Sequence, residues 1–407
     1  MDAGNDIRRA TRPDILALAA LNDIDQARGH DKQPVARTAY VFRTLKNPAE
    51  VRTLRTVYGA GFFLVGIFAT EEERIKYLTE DKSVPHEEAK ELIERDQGEE
   101  DANGQQTRDT FLLADAFVRT KQDLWRVLEL LFGAPYVSPS ADEYGMFLAY
   151  SASLRSVDLS RQVGAVVMSP TREVLGTGCN DVPAPGGGLY WEDDSKDKRD
   201  FQRGEDYNAA RRRRIVIDVA RRLSGAVGSD EEIYAAARAK LKGSPLLDMT
   251  EYGRPVHAEM EALLSAARVG VSVRGATLFT TTYPCHNCAK HIVAAGIARV
   301  VYVEPYPKSL ARVLYGDSIQ FVSDGLDTRE ESLRFEPFVG IGPRRFFDLF
   351  SLKLGSGYPG KRKVDGAAVD WEGNKKTADL RVPMQPLSYL EREAYAVRLL
   401  KQLGGSE

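Results

Sequence analysis

Hydrophobic and polar positions along this chain predict helices and short strands that follow one another. Residues 15–24 and 48–57 have the three- to four-residue apolar spacing of helices, and 62–69 is a continuous apolar run of strand length. The run 38–43 has the composition of another strand, and a charged helix is expected from Glu71. This alternation favours an α/β layer with a parallel sheet.

A polar, charged segment at 78–110 interrupts the apolar pattern and predicts a mobile stretch. Apolar content returns at 111–131, and Pro135 and Pro139 mark a boundary. We therefore predict a first domain over 1–137.

The second half predicts a three-layer α/β/α domain with a mixed sheet over 138–345. Its expected order is helix, hairpin, insertion, helix, strand, helix, strand, at residues 142–154, 162–178, 184–254, 257–269, 276–282, 285–295 and 299–304. The insertion carries helical patterns near 206–223 and 230–242. The last segment, 346–407, is predicted to be a C-terminal extension that ends in an amphipathic helix, opened by a capping box at Ser388 and Glu391.

Composition narrows the class of protein. The chain has 407 residues, 43% of them hydrophobic, with a formal net charge of -3, which argues against a general polyanion binder. The sequence contains no apolar run of about 18 residues and no secretory signal at its start, so we expect a cytoplasmic protein. Three cysteines do not suit a disulfide framework.

Four residues form a constellation with metal chemistry. His257 and Glu259 stand in a His-x-Glu motif, and Cys285 and Cys288 in a Pro-Cys-x-x-Cys motif after a predicted strand. Imidazole and two thiolates are zinc ligands, and three of them leave one tetrahedral position for water. This order is typical of zinc deaminases, in which the glutamate is a general acid and base and not a ligand.

The same residues predict a reaction. Zinc lowers the pKa of its water, Glu259 takes the proton, and the resulting hydroxide attacks C4 of a cytosine ring. Glu259 then protonates N3 and assists the amino group that leaves as ammonia. Glu261 falls on another face of the helix and is the weaker candidate.

Other interpretations of the cysteine pair stay open at this stage. Cys-x-x-Cys by itself is also typical of a structural zinc site or a redox pair. A structural site closes with four ligands, and His286 or His291 could supply the fourth, of which His291 continues the cysteine face. The upstream His-x-Glu favours a catalytic zinc.

The second half resembles the deoxycytidylate deaminase family, which has the cytidine deaminase fold. The matching motifs are Arg-Ser-Val-Asp at 155–158, Gln-Val-Gly-Ala at 162–165, Gly-Cys-Asn-Asp-Val-Pro at 178–183, His-Ala-Glu at 257–259 and Tyr-Pro-Cys-His-Asn-Cys-Ala-Lys at 283–290. The resemblance implies that Arg155 faces the nucleotide phosphate, Asn180 binds the sugar 3′-hydroxyl and the backbone of Ala258 holds the base edge. Tyr306 falls near a family tyrosine at the pocket.

The whole chain resembles bacterial anti-phage dCTP deaminases, which join a P-loop kinase-like domain to the deaminase. This resemblance implies dCTP or dCMP as substrate, a homo-oligomer, and regulation by an effector nucleotide or a small RNA. The Gly-x-x-x-x-Gly-Lys-Ser/Thr motif is absent, so we expect a truncated kinase-like domain without ATP. Either the chain starts downstream of the usual domain start or this half has lost nucleotide binding.

Two rival functions remain. A nucleic-acid-editing deaminase would use the same zinc motif, but would need a basic groove with aromatic side chains for single strands. The only basic run is Arg211–Arg214, in a helical pattern that favours a solvated face, a subunit contact or a contact with a triphosphate. The other rival is a non-enzymatic regulatory binder that zinc merely stabilises.

Overall fold

The computed structural model describes residues 1–29, 33–99, 103–304, 309–321, 332–352, 361–374, 381 and 388–404. Within these ranges the chain forms two compact units: unit 1 takes residues from 1–144 and 338–407, and unit 2 takes residues from 145–321 and 332–337. No described helix is both long enough and apolar enough to cross a membrane.

Unit 1 combines a small sheet with helices. Its elements are α1 (Asp2–Ala10), α2 (Ile15–Ala27), α3 (Pro48–Tyr58), β1 (Val65–Ile67), α4 (Glu71–Lys76), α5 (His86–Gln97), α6 (Thr107–Phe111), β2 (Ala116–Val118), α7 (Lys121–Leu131), β9 (Gly340–Ile341), α15 (Phe346–Phe350), β10 (Lys363–Val364), β11 (Ala367–Ala368), α16 (Trp371–Asn374) and α17 (Ser388–Gly404). In the described chain β2 pairs with β1 in parallel and with β9 antiparallel. The apolar faces of α2, α3 and α17 form one core around Leu21 and Leu54.

Unit 2 is built on a larger mixed sheet. Its elements are α8 (Ala141–Ser153, which begins in unit 1), β3 (Gly164–Met168), β4 (Val174–Cys179), α9 (Asp200–Arg203), α10 (Tyr207–Ser224), α11 (Asp230–Lys240), α12 (Ala258–Arg268), β5 (Thr277–Thr282), α13 (His286–Ala294), β6 (Arg299–Glu304), α14 (Ala311–Tyr315), β7 (Ile319–Phe321) and β8 (Leu333–Pro337). Among described residues the strand order is β4-β3-β5-β6-β8-β7. The β3 strand runs antiparallel to β4 and β5, while β5, β6, β8 and β7 pair in parallel.

The faces of this sheet carry different helices. Ala165 and Val167 share a buried core with residues of α12 and α13, which therefore cover one face. Gly164 points to the other face, where a Cβ would lie 1.9 Å from the Ala149 carbonyl oxygen of α8. Neighbouring strand residues point to opposite faces, so the sheet has helices on both sides. The predicted three-layer arrangement and mixed sheet are confirmed.

Most elements predicted from periodicity are present, but the strand predicted at 38–43 is wrong. These residues have no regular secondary structure, and Val41 is 89% exposed. Their composition favours extended backbone, but a strand needs a partner strand and a buried face, and this segment has neither.

The segment 78–110, predicted as a mobile stretch, contains two helices in its described part. The segment contains α5 and α6, and α5 buries Ala89 and Ile93, one turn apart. Lys46 forms an ion pair with Asp96 (Nζ to Oδ1, 2.6 Å), so part of the charge run contacts the protein and not only water. A helix with so narrow an apolar stripe has the composition of a loop.

The two units differ from the predicted domains at both boundaries. The chain passes from unit 1 to unit 2 between Tyr144 and Gly145, inside α8, and not at residue 137. It returns to unit 1 before Phe338, and α17 packs on α2 and α3. The segment predicted as a C-terminal extension thus contributes α17 to the unit 1 core.

Candidate metal centre

Two helices of unit 2 begin beside each other and carry the metal-binding motifs. His257 is the residue before α12, and Cys285 is the residue before α13. The long insertion ends just before His257, where the Val256 N–H donates to the Asp181 carbonyl (2.9 Å). The insertion therefore leaves and rejoins the domain at one place, and His257 stays next to the sheet.

Glycines in β4 let α12 lie unusually close to the sheet. A Cβ at Gly178 would be 2.3 Å from the Ala258 carbonyl oxygen, and one at Gly176 would be 2.3 Å from that of Ala262. Both positions point to the same face because side chains alternate along a strand. The motif at 178–183 includes Gly178 but not Gly176. The signal was present, since a Gly-x-Gly repeat inside a strand indicates close backbone approach.

The three predicted ligands converge on one point. His257 Nδ1 lies 3.3 Å from Cys285 Sγ and 3.3 Å from Cys288 Sγ, and the three ligand atoms lie within 4.8 Å of one another. Tetrahedral zinc, with bonds of about 2.1 Å to nitrogen and 2.3 Å to sulfur, separates such ligands by about 3.6 Å. The donor set and its spacing therefore fit zinc, with one coordination position left for another ligand.

Glu259 lies beside this cluster without being part of it. Its side chain is buried, with 5% exposed, and its Oε2 accepts a hydrogen bond from Cys288 Sγ (3.4 Å). Glu259 is in the first turn of α12, two residues after His257. The carboxyl group is thus close to any ligand at the fourth position and shielded from bulk water.

Electrostatics among the side chains of the cluster favour one thiolate. The hydrogen bond from Cys288, assisted by His257, lowers the pKa of Cys285 to about 4. The bond to this thiolate raises the pKa of His257 to about 8. Cys288, which shares its proton with Cys285 and is buried, has a pKa well above its ordinary value. Burial, followed by the charge of Cys285, raises the pKa of Glu259.

The alternative ligands lie outside the cluster. In the described part of the chain, the metal-binding group contains neither His286 nor His291. The exposed His291 has its Nδ1 2.7 Å from the Asn287 carbonyl oxygen, one turn earlier in the same helix. Glu261, the weaker acid candidate, pairs instead with Arg268. The geometry therefore favours three protein ligands over a closed structural site.

Asn180 follows β4 directly, Ala258 follows His257, and both residues are buried. The Asn180 side chain joins two parts of the loop before β3, because Oδ1 accepts from the Val163 N–H (2.7 Å) and Nδ2 donates to the Arg161 carbonyl (2.8 Å). An amide has two N–H donors, so this arrangement leaves one for another group. Ala258 is the first residue of α12, where backbone N–H groups have no partner within the helix.

Arg155 lies against the loop that opens the insertion. Its Nη2 donates to the carbonyl oxygens of Leu189 (3.2 Å) and Tyr190 (3.1 Å), and its guanidinium stacks 3.5 Å from the Trp191 ring centroid. Its Nε is buried without a hydrogen-bond partner. These contacts could not be read from the motif, since they depend on the path of a distant loop. Tyr306 lies outside the described residues.

Comparison with known proteins identifies relatives of unit 2. Residues 139–304 match the family model of the cytidine and deoxycytidylate deaminase zinc-binding region. The deoxycytidylate deaminase of Enterobacteria phage T4 is 31% identical over 162 residues, which cover 40% of this chain and 77% of that protein. That of Mycobacterium phage D29 is 33% identical over 164 residues, which cover 40% of this chain and 94% of the relative. The crystal structure of dCMP deaminase from cyanophage S-TIM5 aligns with 50% of this chain at 18% identity and a TM-score of 0.27.

Proposed function

Since the chain belongs to the deoxycytidylate deaminase family, we propose that it hydrolyses the 4-amino group of a free deoxycytidine nucleotide. Water supplies the new oxygen at C4, and the products are the deoxyuridine nucleotide and ammonia. The observation that carries the proposal is the convergence of His257, Cys285 and Cys288 beside the buried carboxyl group of Glu259.

Three residues would hold the metal and one would move protons. His257, Cys285 and Cys288 would bind zinc, which when bound supplies a water molecule of lowered pKa. Glu259 would take a proton from the attacking water, deliver it to N3 of the ring and then assist the leaving ammonia. Burial suits this role, because it raises the pKa of the Glu259 carboxyl group and so helps it to hold the proton that it passes on.

Three further residues would orient the nucleotide. The second Nδ2 hydrogen of Asn180 is a donor for a sugar hydroxyl. The orphan N–H groups at the start of α12, beginning at Ala258, suit the acceptor edge of the base. Arg155 would contact the phosphate through its guanidinium group.

We further propose that dCTP is a substrate beside dCMP, and that its removal depletes a DNA precursor during phage replication. The resemblance of the whole chain to bacterial anti-phage dCTP deaminases supports this proposal. On the same basis, unit 1 would be a kinase-like regulatory domain without ATP binding, and the chain would form a homo-oligomer. An effector nucleotide or a small RNA would control its activity.

A substrate panel tests the reaction. We expect ammonia release from dCMP and dCTP, and much less from an equimolar single-stranded oligodeoxynucleotide, with and without added effector nucleotides. Activity confined to the oligonucleotide would refute the proposal and support an editing deaminase. No activity on any substrate in zinc-loaded protein would support the regulatory binder.

A further inference from the structure

The insertion of unit 2 contains a hollow that the deaminase chemistry does not use. It lies between α10, α11 and the turn after α11, and it has a volume of about 330 Å³. Its lining includes Arg212, Tyr234, Arg238, Lys242 and Asp248, none of which belongs to the metal centre. This volume is at the lower end of the range for small-molecule sites.

Two arginines at the hollow have no acidic partner among the described residues. Neither Arg212 nor Arg238 has a hydrogen bond or an ion pair in the portion of the chain that the structure describes. Three arginines of α10 that do not line the hollow form ion pairs: Arg213 with Glu231 (2.5 Å), Arg221 with Asp230 (2.6 Å) and Arg222 with Asp218 (2.8 Å). The acidic side chains of α10 and α11 thus pair with arginines outside the hollow, and Arg212 and Arg238 keep their charge uncompensated at it.

The lining is strongly positive. Lys242 adds a third cation, and Asp248 is the single acidic side chain among the lining residues. Cations gathered around one space repel each other, and an anion placed between them removes this cost. Guanidinium groups match phosphate oxygens with two parallel hydrogen bonds, which makes arginine pairs suited to phosphate groups.

The hollow also has a less polar wall. Tyr234 and Leu247 line it, and the Tyr234 ring has the Arg213 guanidinium 5.5 Å from its centroid. A ring at the side of a phosphate site can contact an attached organic group.

The turn after α11 is held by Ser244. Its Oγ accepts a hydrogen bond from the Leu246 N–H (3.3 Å), and its N–H donates to the Leu241 carbonyl oxygen. The hollow is therefore bounded by ordered backbone.

We propose that this hollow binds the polyphosphate group of a small ligand, either a nucleoside triphosphate or inorganic polyphosphate. Arg212 and Arg238 are its phosphate contacts, with Lys242 as a further cation. This inference concerns a site in the insertion and does not depend on which nucleotide unit 2 deaminates.

Amide hydrogen exchange on the full-length, zinc-loaded chain tests the site. Inorganic tripolyphosphate at low ionic strength should slow exchange in segment 230–248. The variant Arg212→Gln/Arg238→Gln should lose this protection and bind tripolyphosphate at least about ten-fold more weakly. The control Arg221→Gln/Arg222→Gln removes the same charge from the same helix pair and should keep the protection of segment 230–248. If the first variant fails to fold, Arg238→Gln alone, at an exposed position, should weaken binding in the same direction.

Parallel titrations distinguish the ligand sources. Tighter binding of dCTP or ATP than of tripolyphosphate indicates a nucleotide, and equal binding indicates the polyphosphate itself; either supports the site. Absence of protection at millimolar tripolyphosphate and nucleotide overturns it. An equal loss of tripolyphosphate affinity in both double variants would mean that the anion is attracted by diffuse charge and would also overturn the proposed site. Protection by a single-stranded oligonucleotide but not by tripolyphosphate would indicate a nucleic-acid surface and would refute the proposal.

Discussion

Glu259 combines two properties that sequence and structure supply separately. Its place two residues after His257 could be predicted from the motif, because ligand and proton carrier are adjacent in the chain. Its burial, and the neighbouring Cys285 charge that raises its pKa further, depend on α12 and α13 meeting at their first turns. The motif thus predicts which residue would carry the proton, and the fold buries that residue beside the three metal-binding side chains.

Replacing Glu259 tests this role at the residue scale. We expect Glu259→Gln to lower kcat by about 10²–10⁴-fold, because an amide cannot take a proton from water. Zinc content should not change, since Glu259 is not among the three ligands. Turnover of dCMP and metal analysis on the same samples measure both effects.

Glu261→Gln is the matched control, because it lies in the same helix and pairs with Arg268. Its kcat should stay within a few-fold of the parent. A Glu259→Gln variant with full turnover would contradict the proposed proton transfer.

At the scale of elements, periodicity could predict helices and strands where one face is clearly apolar. The hairpin of β3 and β4 and the helices α12 and α13 fall close to their predicted bounds. The segment 78–110 could not be interpreted this way, because α5 buries only two apolar side chains. The distance between a helix and the sheet is harder to predict from the sequence, since it depends on glycines, which lack a side chain.

Gly178 sets that distance for α12. We expect Gly178→Ala to push the helix away from β4, because the new methyl group would meet backbone atoms of Ala258 and Ala262 that cannot rotate aside. The free energy of unfolding should fall by about 1–3 kcal/mol. Zinc affinity and kcat should fall with it, because His257 and Glu259 are at the displaced end. Denaturant unfolding and zinc competition measure these changes.

Gly253→Ala is the control in the same unit, where a new Cβ has Thr250 O as its nearest neighbour at 3.4 Å. This variant should change the free energy of unfolding and the zinc affinity little. Unchanged zinc affinity in Gly178→Ala would contradict the idea that the glycine contact positions the metal ligands.

At the scale of the whole molecule, contacts between distant segments were outside the reach of sequence patterns. The amphipathic character of α17 could be predicted, but its partner could not. Glu393 of α17 pairs with Arg28, 365 residues earlier, and accepts a hydrogen bond from the Tyr58 hydroxyl. Nothing in the local sequence of either segment indicates this pairing, so the C-terminal part was predicted as an extension and not as part of the unit 1 core.

We expect a large loss of stability when the ion pair between Arg28 and Glu393 is broken. Arg28 and Glu393 are both almost fully buried, with Nε to Oε1 at 2.9 Å. We expect Glu393→Ala to lower the opening free energy of α2 amides by about 3–5 kcal/mol, because Arg28 keeps a buried charge without its partner. Native-state hydrogen exchange measures this opening free energy.

Glu391→Ala, at an exposed position of the same helix, is the control and should have little effect on it. The double variant Arg28→Leu/Glu393→Leu should recover most of the loss, since it removes both charges. Equal destabilisation by Glu391→Ala would show that any loss of negative charge from α17, and not loss of the buried ion pair, causes the effect.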